Sequence, residues 1–465
     1  MKALKNQKNL TFSNIFNILH IYHFDIYRDL LIMFLSKKIF NLIYLLGFIL
    51  FPLASHSITL EDALSSSLIN NLDIKKEKSN LSATKENINQ SISSYFPSIS
   101  LQGSISESEV TNIKSQNGSL SSGYELEPSS VSITISQNIF NGFASYYSLV
   151  KSKADYESQN LLYENKQQEV ILAALESYYN VILAEKNFIA FEGNYTAIKN
   201  RYSSAEAEFE AGILSKTDVA LAKTRMSAAK IAMINSEINF ADKINDFRDI
   251  VGKEPNGLKF ENIKSKKELD KAQFLANVNL NNFAIRIASL DIKSKKALTG
   301  IARSSLLPKI SLNATQTEYY DYSTTIDQFD NETINATLSW PIFSSGKSLS
   351  KIKQAKKLKN SSYINQLIVI RDTLNTANFA FSQYAISGET VNSAQIAVES
   401  AEFAYNGTVV EQEVGERTLL DVLDARQQLL NSEIELFKEQ RNEQIIEARL
   451  LYLMGELKLN KLFNN

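Results

Sequence analysis

Two aspartates near the carboxyl end of the chain, Asp421 and Asp424, have the spacing most suggestive of chemistry. They stand three residues apart, and residues at that spacing lie on the same face of a helix. Carboxylates gathered on one face can hold cations, and rings of carboxylates select cations in channels. The same spacing also fits two solvated acidic residues in the first turns of a helix, where the helix dipole favours negative charge. Spacing alone favours this second interpretation.

Side chains that commonly catalyse reactions are scarce. The chain has no Cys and three His, and all three, His20, His23 and His56, lie before residue 58. If that leader is removed, thiolate nucleophiles, histidine triads and imidazole metal sites are excluded. Paired carboxylates such as Glu61 and Asp62 could do acid–base work, but nothing in the sequence places them in a pocket. We therefore predict a protein that is not an enzyme and uses no cofactor or metal.

The first 57 residues are predicted to be an N-terminal extension and a secretory signal. Lys37 and Lys38 precede an apolar run over 39–53, which is too short for a membrane-spanning helix. Small residues flank His56 as at a signal-peptidase site, so we expect cleavage after Ser57. Residues 1–32 fit no standard signal, and we expect translation to start at Met33. A buried core helix is the alternative interpretation of the apolar run.

The rest of the chain is predicted to be a duplication. Pro97 and Pro308 occupy matching motifs that are 211 residues apart. Further along, the offset becomes constant at 203 residues, for example between Gly212 and Gly415. A fixed offset over a long stretch indicates an internal repeat. The two predicted repeats cover residues 58–257 and 258–465.

Each repeat is predicted to contain two strands followed by a very long helix. Apolar and small polar residues alternate with a period of two, as in strands with one apolar face. Four strands of about ten residues with this pattern are typical of an outer-membrane β-barrel, and a soluble antiparallel sheet is the alternative. The loops expected between paired strands, 112–130 and 323–331, are polar. The predicted strands are at about 97–113, 130–140, 308–322 and 333–343, and the predicted long helices are at about 143–209 and 347–412.

The two long helical segments favour the membrane interpretation. Neither contains Pro, and at 1.5 Å per residue each would extend about 100 Å. Helices of that length suit a coiled coil or a tube rather than a compact domain. Four strands cannot close a barrel, and an open sheet edge in lipid leaves backbone groups unpaired. We therefore expect cyclic association, in which three copies supply twelve strands.

Several motifs resemble the TolC-type outer membrane efflux proteins, over nearly all of 58–457. The run VGERTLLDVLDA from Val414 to Ala425 is the longest and most specific of them. The resemblance implies a mainly α fold with membrane β-strands, built as a trimeric 12-stranded outer-membrane β-barrel joined to a 12-helix periplasmic α-barrel. The other matching motifs are residues 58–64 with Asn70 and Asn71, 96–99, 307–310, 211–214 and 217–219.

The same resemblance implies a function. A chain of this family is one protomer of a channel in the cell outer membrane, with a helical tunnel in the periplasm. It exports drugs, small molecules or secreted proteins, as in type I secretion, without changing them chemically. The implied partners are two further copies, outer-membrane lipid, a periplasmic adaptor protein, and an inner-membrane ABC or proton-driven pump. The formal net charge of -2 gives no electrostatic case for nucleic acid.

The roles of residues at the periplasmic tips are also implied by the resemblance. Asp421 and Asp424 would form a ring of six carboxylates that gates the channel and selects ions. Arg417 would pair with Asp218 of a neighbouring copy as a latch, and a solvated charge is the alternative for Arg417. The family's best-known members have Tyr where this chain has Gln412. The residues expected to receive the adaptor are Ala211, Gly212, Ile213, Thr217, Val414, Gly415 and Glu416.

Two further classes of protein compete with this interpretation. A surface coiled-coil adhesin would explain the long helices but not the membrane-patterned strands inside two matching repeats. A periplasmic adaptor would have a single helical hairpin with compact β domains, and it would not be duplicated.

Overall fold

A computed structural model of the chain describes residues 57–463, except for 112, 115–119, 122 and 264–269. The extension and signal peptide predicted at the amino end fall on residues 1–56, outside the described residues. The described part of the chain is mainly helical. The helices are α1 (Leu60–Asn70), α2 (Leu72–Ser93), α3 (Ala144–Glu210), α4 (Lys216–Val251), α5 (Lys271–Asn281), α6 (Phe283–Ser304), α7 (Lys347–Glu413), α8 (Leu419–Leu453) and α9 (Leu459–Phe463).

The strands are β1 (Ser98–Ile105), β2 (Ser108–Val110), β3 (Ile113–Lys114), β4 (Leu120–Ser121), β5 (Tyr124–Leu126), β6 (Ser129–Phe140), β7 (Lys309–Ser323) and β8 (Ile326–Ser339). Four of them form one antiparallel sheet in the order β1-β6-β7-β8. The pairing of β6 with β7 joins the first half of the chain to the second, and β1 and β8 are the two edges. Two short ladders, β2 with β5 and β3 with β4, continue beyond the β1–β6 hairpin.

Both predicted interstrand loops are partly strand. Ser323 pairs with Ile326, so the loop expected at 323–331 shrinks to a two-residue turn, and β8 begins seven residues earlier than predicted. This segment has polar residues on both faces, so it lacks the apolar alternation from which strands are predicted. β8 also ends early, at Ser339, ahead of Pro341, which has no N–H for a ladder. The short ladders occupy part of the loop predicted at 112–130.

One face of the sheet is apolar only in part. Residues directly opposite each other on neighbouring strands share a face. One row is apolar across all four strands and consists of Ile99, Ile135, Ala314 and Ile334. The next two rows toward the loops are polar on β7 and β8. In one row Ile133 of β6 lies beside Gln316 and Glu332, and in the other Val131 of β6 lies beside Glu318 and Asp330. The prediction of one apolar face on all four strands is therefore wrong for the half of the β7–β8 hairpin that is nearer its turn.

The long helices run from the sheet to the turns at Gly212 and Gly415. α3 and α7 contain 67 residues each, and this corresponds to about 100 Å. Near the sheet, α3 packs on α2 and α6, and α6 packs on α7. Further away, α4 and α8 pack on α3, and α8 packs on α7. No helix in the described ranges has the length and hydropathy needed to cross a membrane.

Each long helix starts from the same backbone turn. Gly142 and Phe143 have φ of 67° and 68°, and Ser345 and Gly346 have φ of 48° and 79°. Two consecutive left-handed residues redirect the chain from strand to helix, and one glycine in each pair reduces the cost. Gly142 also lies in a tight space, because a Cβ there would stand 2.7 Å from the carbonyl oxygen of Ser304.

A buried aromatic cluster fixes the linker between the two halves of the chain. Tyr178 and Tyr179 of α3 are almost completely buried beside Phe247 of α4. The hydroxyl of Tyr178 donates to the carbonyl oxygen of Lys259 at 2.8 Å, and that of Tyr179 donates to the carbonyl oxygen of Glu261 at 2.5 Å. Burial raises the pKa of Tyr178 to about 12, so its hydroxyl remains a hydrogen-bond donor at neutral pH.

Candidate functional site at the helical tips

The two turns farthest from the sheet join α3 to α4 and α7 to α8. In both, the preceding helix ends in the same way. Gly212 and Gly415 follow the helix ends with φ of 78° and 82°. The N–H of Gly212 donates to the carbonyl oxygen of Phe209, and that of Ile213 donates to the carbonyl oxygen of Glu208. These are the two bonds of a Schellman motif, which satisfies carbonyl groups left open at a helix end. The second tip repeats them, from Gly415 to Gln412 and from Glu416 to Glu411.

Both tips then start the next helix with a capping box. The Ser215 hydroxyl accepts from the backbone N–H of Asp218, and the Asp218 carboxylate accepts from the backbone N–H of Ser215, both at 3.2 Å. Thr418 and Asp421 make the same pair of bonds at 2.9 and 3.2 Å. Asp218 and Asp421 therefore hold equivalent positions, and each fixes its own turn locally.

Asp421 remains ionised well into the acid range. The Thr418 hydroxyl donates to its carboxylate at 2.7 Å. This hydrogen bond lowers the pKa of Asp421, and the backbone N–H of Thr418 and the charge of Arg417 lower it further. The cap leaves the negative charge in place, so Asp421 can contribute charge to a constriction at neutral pH.

Asp424 has a different partner, on another helix. Its Oδ1 lies 2.8 Å from Nη2 of Arg225, which belongs to α4. The two predicted ring aspartates thus lie on the same helix but differ in their contacts. Asp421 is held within its own turn, whereas Asp424 joins α8 to α4.

Arg417 and Asp218, the residues expected to form a latch between copies, both have partners in their own chain. Nε of Arg417 lies 2.9 Å from Oε2 of Glu411, which belongs to the last turns of α7. The Asp218 carboxylate accepts from the Ser215 hydroxyl at 2.7 Å. Gln412 is partly exposed, and its carbonyl oxygen accepts from the N–H of Gly415.

The surface of both tips is open at the two glycines. A Cβ added at Gly212 or Gly415 would meet no atom of the described residues within 4 Å. Next to the glycines, Ile213 and Val414 are 73% and 70% exposed. Each tip therefore presents an exposed apolar side chain beside bare backbone, which a helical partner could approach closely. Ala211, Thr217 and Glu416 are also exposed.

A small apolar cluster supports the tips from inside. Ala205 of α3, Ala222 of α4 and Leu423 of α8 are buried together there. Alanines let α3 and α4 approach each other closely, and Leu423 fastens the second half of the chain to this pair.

Arg225 and Glu411 contact the predicted site residues but were not predicted from the sequence. Arg225 is 199 residues from Asp424, and no local spacing relates the two. Glu411 is six residues before Arg417, across a turn that a glycine closes. A Schellman motif folds the chain back on the last helical turn, so recognising the motif in the sequence would have predicted that Glu411 lies near Arg417.

The sequence matches a known family over most of its length. The pattern that defines the outer membrane efflux protein family matches residues 63–253 and 275–456. The chain therefore belongs to the outer membrane efflux protein family. This membership confirms the predicted resemblance and the predicted location in the outer membrane. It also confirms that the protein is not an enzyme, since the family consists of passive channels.

Individual relatives are distant in sequence. TolC of Escherichia coli K12 is 23% identical over 443 residues, which cover 90% of this chain and 87% of TolC. BepC of Brucella suis, an outer membrane efflux protein, is 27% identical over 183 residues. That match covers 39% of this chain and 38% of BepC, so the chain spans well under two thirds of that relative.

Solved structures share the fold. The CmeC outer membrane channel of Campylobacter jejuni superimposes with a TM-score of 0.76 at 18% identity, over 86% of each chain. The open state of the MtrE outer membrane channel of Neisseria gonorrhoeae gives 0.69 at 14% identity, over 86% of this chain and 89% of MtrE. These likenesses confirm the mainly helical channel fold.

Proposed function

We propose that this chain is one of three identical protomers of an export duct, with a 12-stranded outer-membrane barrel and a 12-helix periplasmic tunnel. The observation that supports this most strongly is the open four-stranded sheet. Its edges, β1 and β8, have no partner strand within the described part of the chain. Unpaired edges are costly in lipid, and pairing β8 of one copy with β1 of the next removes them.

The helices support the same closure. On α7, Ile396, Phe403 and Val410 recur every seven residues, and each is more than half exposed. On α4, Ile231 and Ile238 have the same spacing and similar exposure. Apolar side chains repeating every seven residues are typical of helices that pack against another helix. In the proposed trimer, α7 of one copy packs on α4 of the next.

The tips form the gate in this proposal. Three copies bring three Asp421 and three Asp424 side chains around the narrow end of the tunnel, and carboxylate rings favour cations. Arg417 exchanges Glu411 of its own chain for Asp218 of a neighbour when the tip closes. An exposed ion pair contributes about 1 kcal/mol or less, so this latch is weak and reversible. Gln412 stands where the family has Tyr, so it supplies only a side-chain amide to this latch.

The partners are an adaptor and a pump. A helical hairpin of a periplasmic adaptor docks at the open glycine surfaces of the two tips, and the adaptor couples the duct to an inner-membrane ABC or proton-driven pump. The domains follow the duplication: residues 58–257 and 258–465 each supply two strands and one helix pair to the wall. Cargo passes without chemical change. AprF of Pseudomonas aeruginosa, an alkaline protease secretion protein, is among the relatives, so secreted proteins are one class of cargo.

Planar-bilayer recording tests the gate. The parent is expected to show a small, cation-selective conductance. Replacing both Asp421 and Asp424 with Ala should reduce the selectivity, because the ring loses its carboxylates. The matched control replaces Asp242 and Asp246, two exposed acidic residues far from the tip, and should behave as the parent. Unchanged selectivity in the tip variant would reject the ring, and a larger conductance in Arg417→Ser would support the latch.

A further inference from the structure

The ion pair between Arg225 and Asp424 bears on how many ring carboxylates act on a passing ion. Arg225 is in the third turn of α4, and Asp424 is in the second turn of α8. The contact of 2.8 Å is a charge-assisted hydrogen bond. The side chains are 47% and 55% exposed, so the pair faces water at the level of the proposed constriction.

The pair lies over a packed apolar floor. Ala222 precedes Arg225 by one turn and is 1% exposed, and Leu423 precedes Asp424 and is 3% exposed. Met226 packs against the same cluster. These contacts hold α4 and α8 together beneath the pair, so Arg225 and Asp424 stay within reach of each other.

We propose that Arg225 is a selectivity-determining residue of the duct, because it neutralises Asp424 and leaves Asp421 as the main charge of the ring. This inference rests on the proposed tip ring. Among the residues that the structure describes, Asp421 makes no ion pair with a cation on another helix, and its carboxylate accepts hydrogen bonds from Thr418. The ring then has three unpaired carboxylates per trimer and three neutral pairs.

Reversal potentials in a potassium chloride gradient test this assignment. Arg225→Gln frees Asp424 and shifts the reversal potential toward the potassium equilibrium value. Asp424→Asn frees Arg225 and shifts it the other way. The double variant Arg225→Gln with Asp424→Asn removes a neutral pair and returns to the parent value. Arg225→Lys keeps the positive charge and also resembles the parent.

Lys223→Gln is the matched control. Lys223 is exposed and makes no ion pair with the residues that the structure describes. It lies two residues before Arg225 on α4, and at 3.6 residues per turn this spacing places the two on nearly opposite sides of the helix. Its removal is expected to shift the reversal potential less than Arg225→Gln does. An equal shift would show a general charge effect and overturn the assignment, as would a parent value for Arg225→Gln.

A separate variant distinguishes this failure from failure of the ring. Asp421→Asn should reduce cation selectivity if the ring exists. If it does so while Arg225→Gln matches the parent, the ring stands and the role of Arg225 is wrong. If Asp421→Asn also matches the parent, the ring itself is wrong, and the assignment of Arg225 falls with it.

Discussion

At the scale of single residues, the two tip aspartates have different tasks although they share one helix face. Asp421 closes a capping box with Thr418, and Asp424 binds Arg225. The spacing of the two in sequence predicted a common face, and the Thr-x-x-Asp pattern is a readable capping signal. The partner of Asp424 was not predictable, because it comes from the other half of the chain through tertiary packing.

The pH dependence of selectivity follows from the lowered pKa of Asp421. The ordinary value is 3.8, and the folded value lies below it. Because the pKa is depressed on folding, the capping carboxylate contributes its full stabilisation above the unfolded-state pKa. This stabilisation is lost as the pH falls through the folded-state pKa. We therefore expect the difference in reversal potential between the parent and Asp421→Asn to be the same at pH 7 and at about pH 4.5.

The matched control for this experiment is Asp242→Asn. Asp242 is an exposed aspartate of α4 far from the tip, so its replacement should leave the selectivity unchanged at both pH values. A difference between the parent and Asp421→Asn that had already vanished near pH 5 would contradict the assigned role of Asp421.

At the scale of elements, the fold depends on how closely the helices can approach. Gly300 of α6 faces the ring of Tyr147 in α3, and a Cβ there would stand 2.4 Å from ring atoms. Among the described residues, a Cβ at Gly388 of α7 would meet only Oε1 of Glu443 within 4 Å, at 3.9 Å. Nothing in the sequence separates these two glycines, because both lie inside helical segments and only the packing differs.

Replacing each glycine with alanine should therefore give opposite results. Gly300→Ala forces Tyr147 to move, and such overpacking costs about 1–3 kcal/mol. Gly388→Ala removes a flexible residue from a helix and should add about 0.5–1 kcal/mol. The melting temperature of each variant is measured from the loss of helical circular dichroism on heating. Equal melting temperatures for the two variants would contradict the packing described for α3 and α6.

Element boundaries show what sequence patterns predict and what they miss. The long helices were predictable because a stretch without Pro leaves the helix period uninterrupted, and α3 and α7 begin and end within a residue of the expected places. The start of β8 was missed because Asp327, Asp330 and Glu332 interrupt the apolar alternation. A strand with polar residues on both faces is visible only through its pairing with β7.

At the scale of the whole molecule, one row of the sheet should face lipid most strictly. Ile135 lies in the row that is apolar across all four strands, whereas Thr134 points to the other face and shares a hydrogen bond with Thr315. Ile135→Arg should impair assembly in the outer membrane, because arginine facing lipid at mid-membrane costs about 2–4 kcal/mol. Thr134→Arg should assemble, and the amount of each variant in outer-membrane fractions measures the difference. Equal assembly of both would mean that this face does not contact lipid.

The central claim is that the chain builds a duct only as three copies, since one copy leaves two sheet edges and two apolar helix stripes uncovered. Native mass spectrometry of the protein extracted from outer membranes in mild detergent tests it most directly. We expect a single species with three times the mass of the mature chain, which falls to one chain when the sample is denatured by heat. A species of one or two chains from a correctly inserted sample would contradict the account.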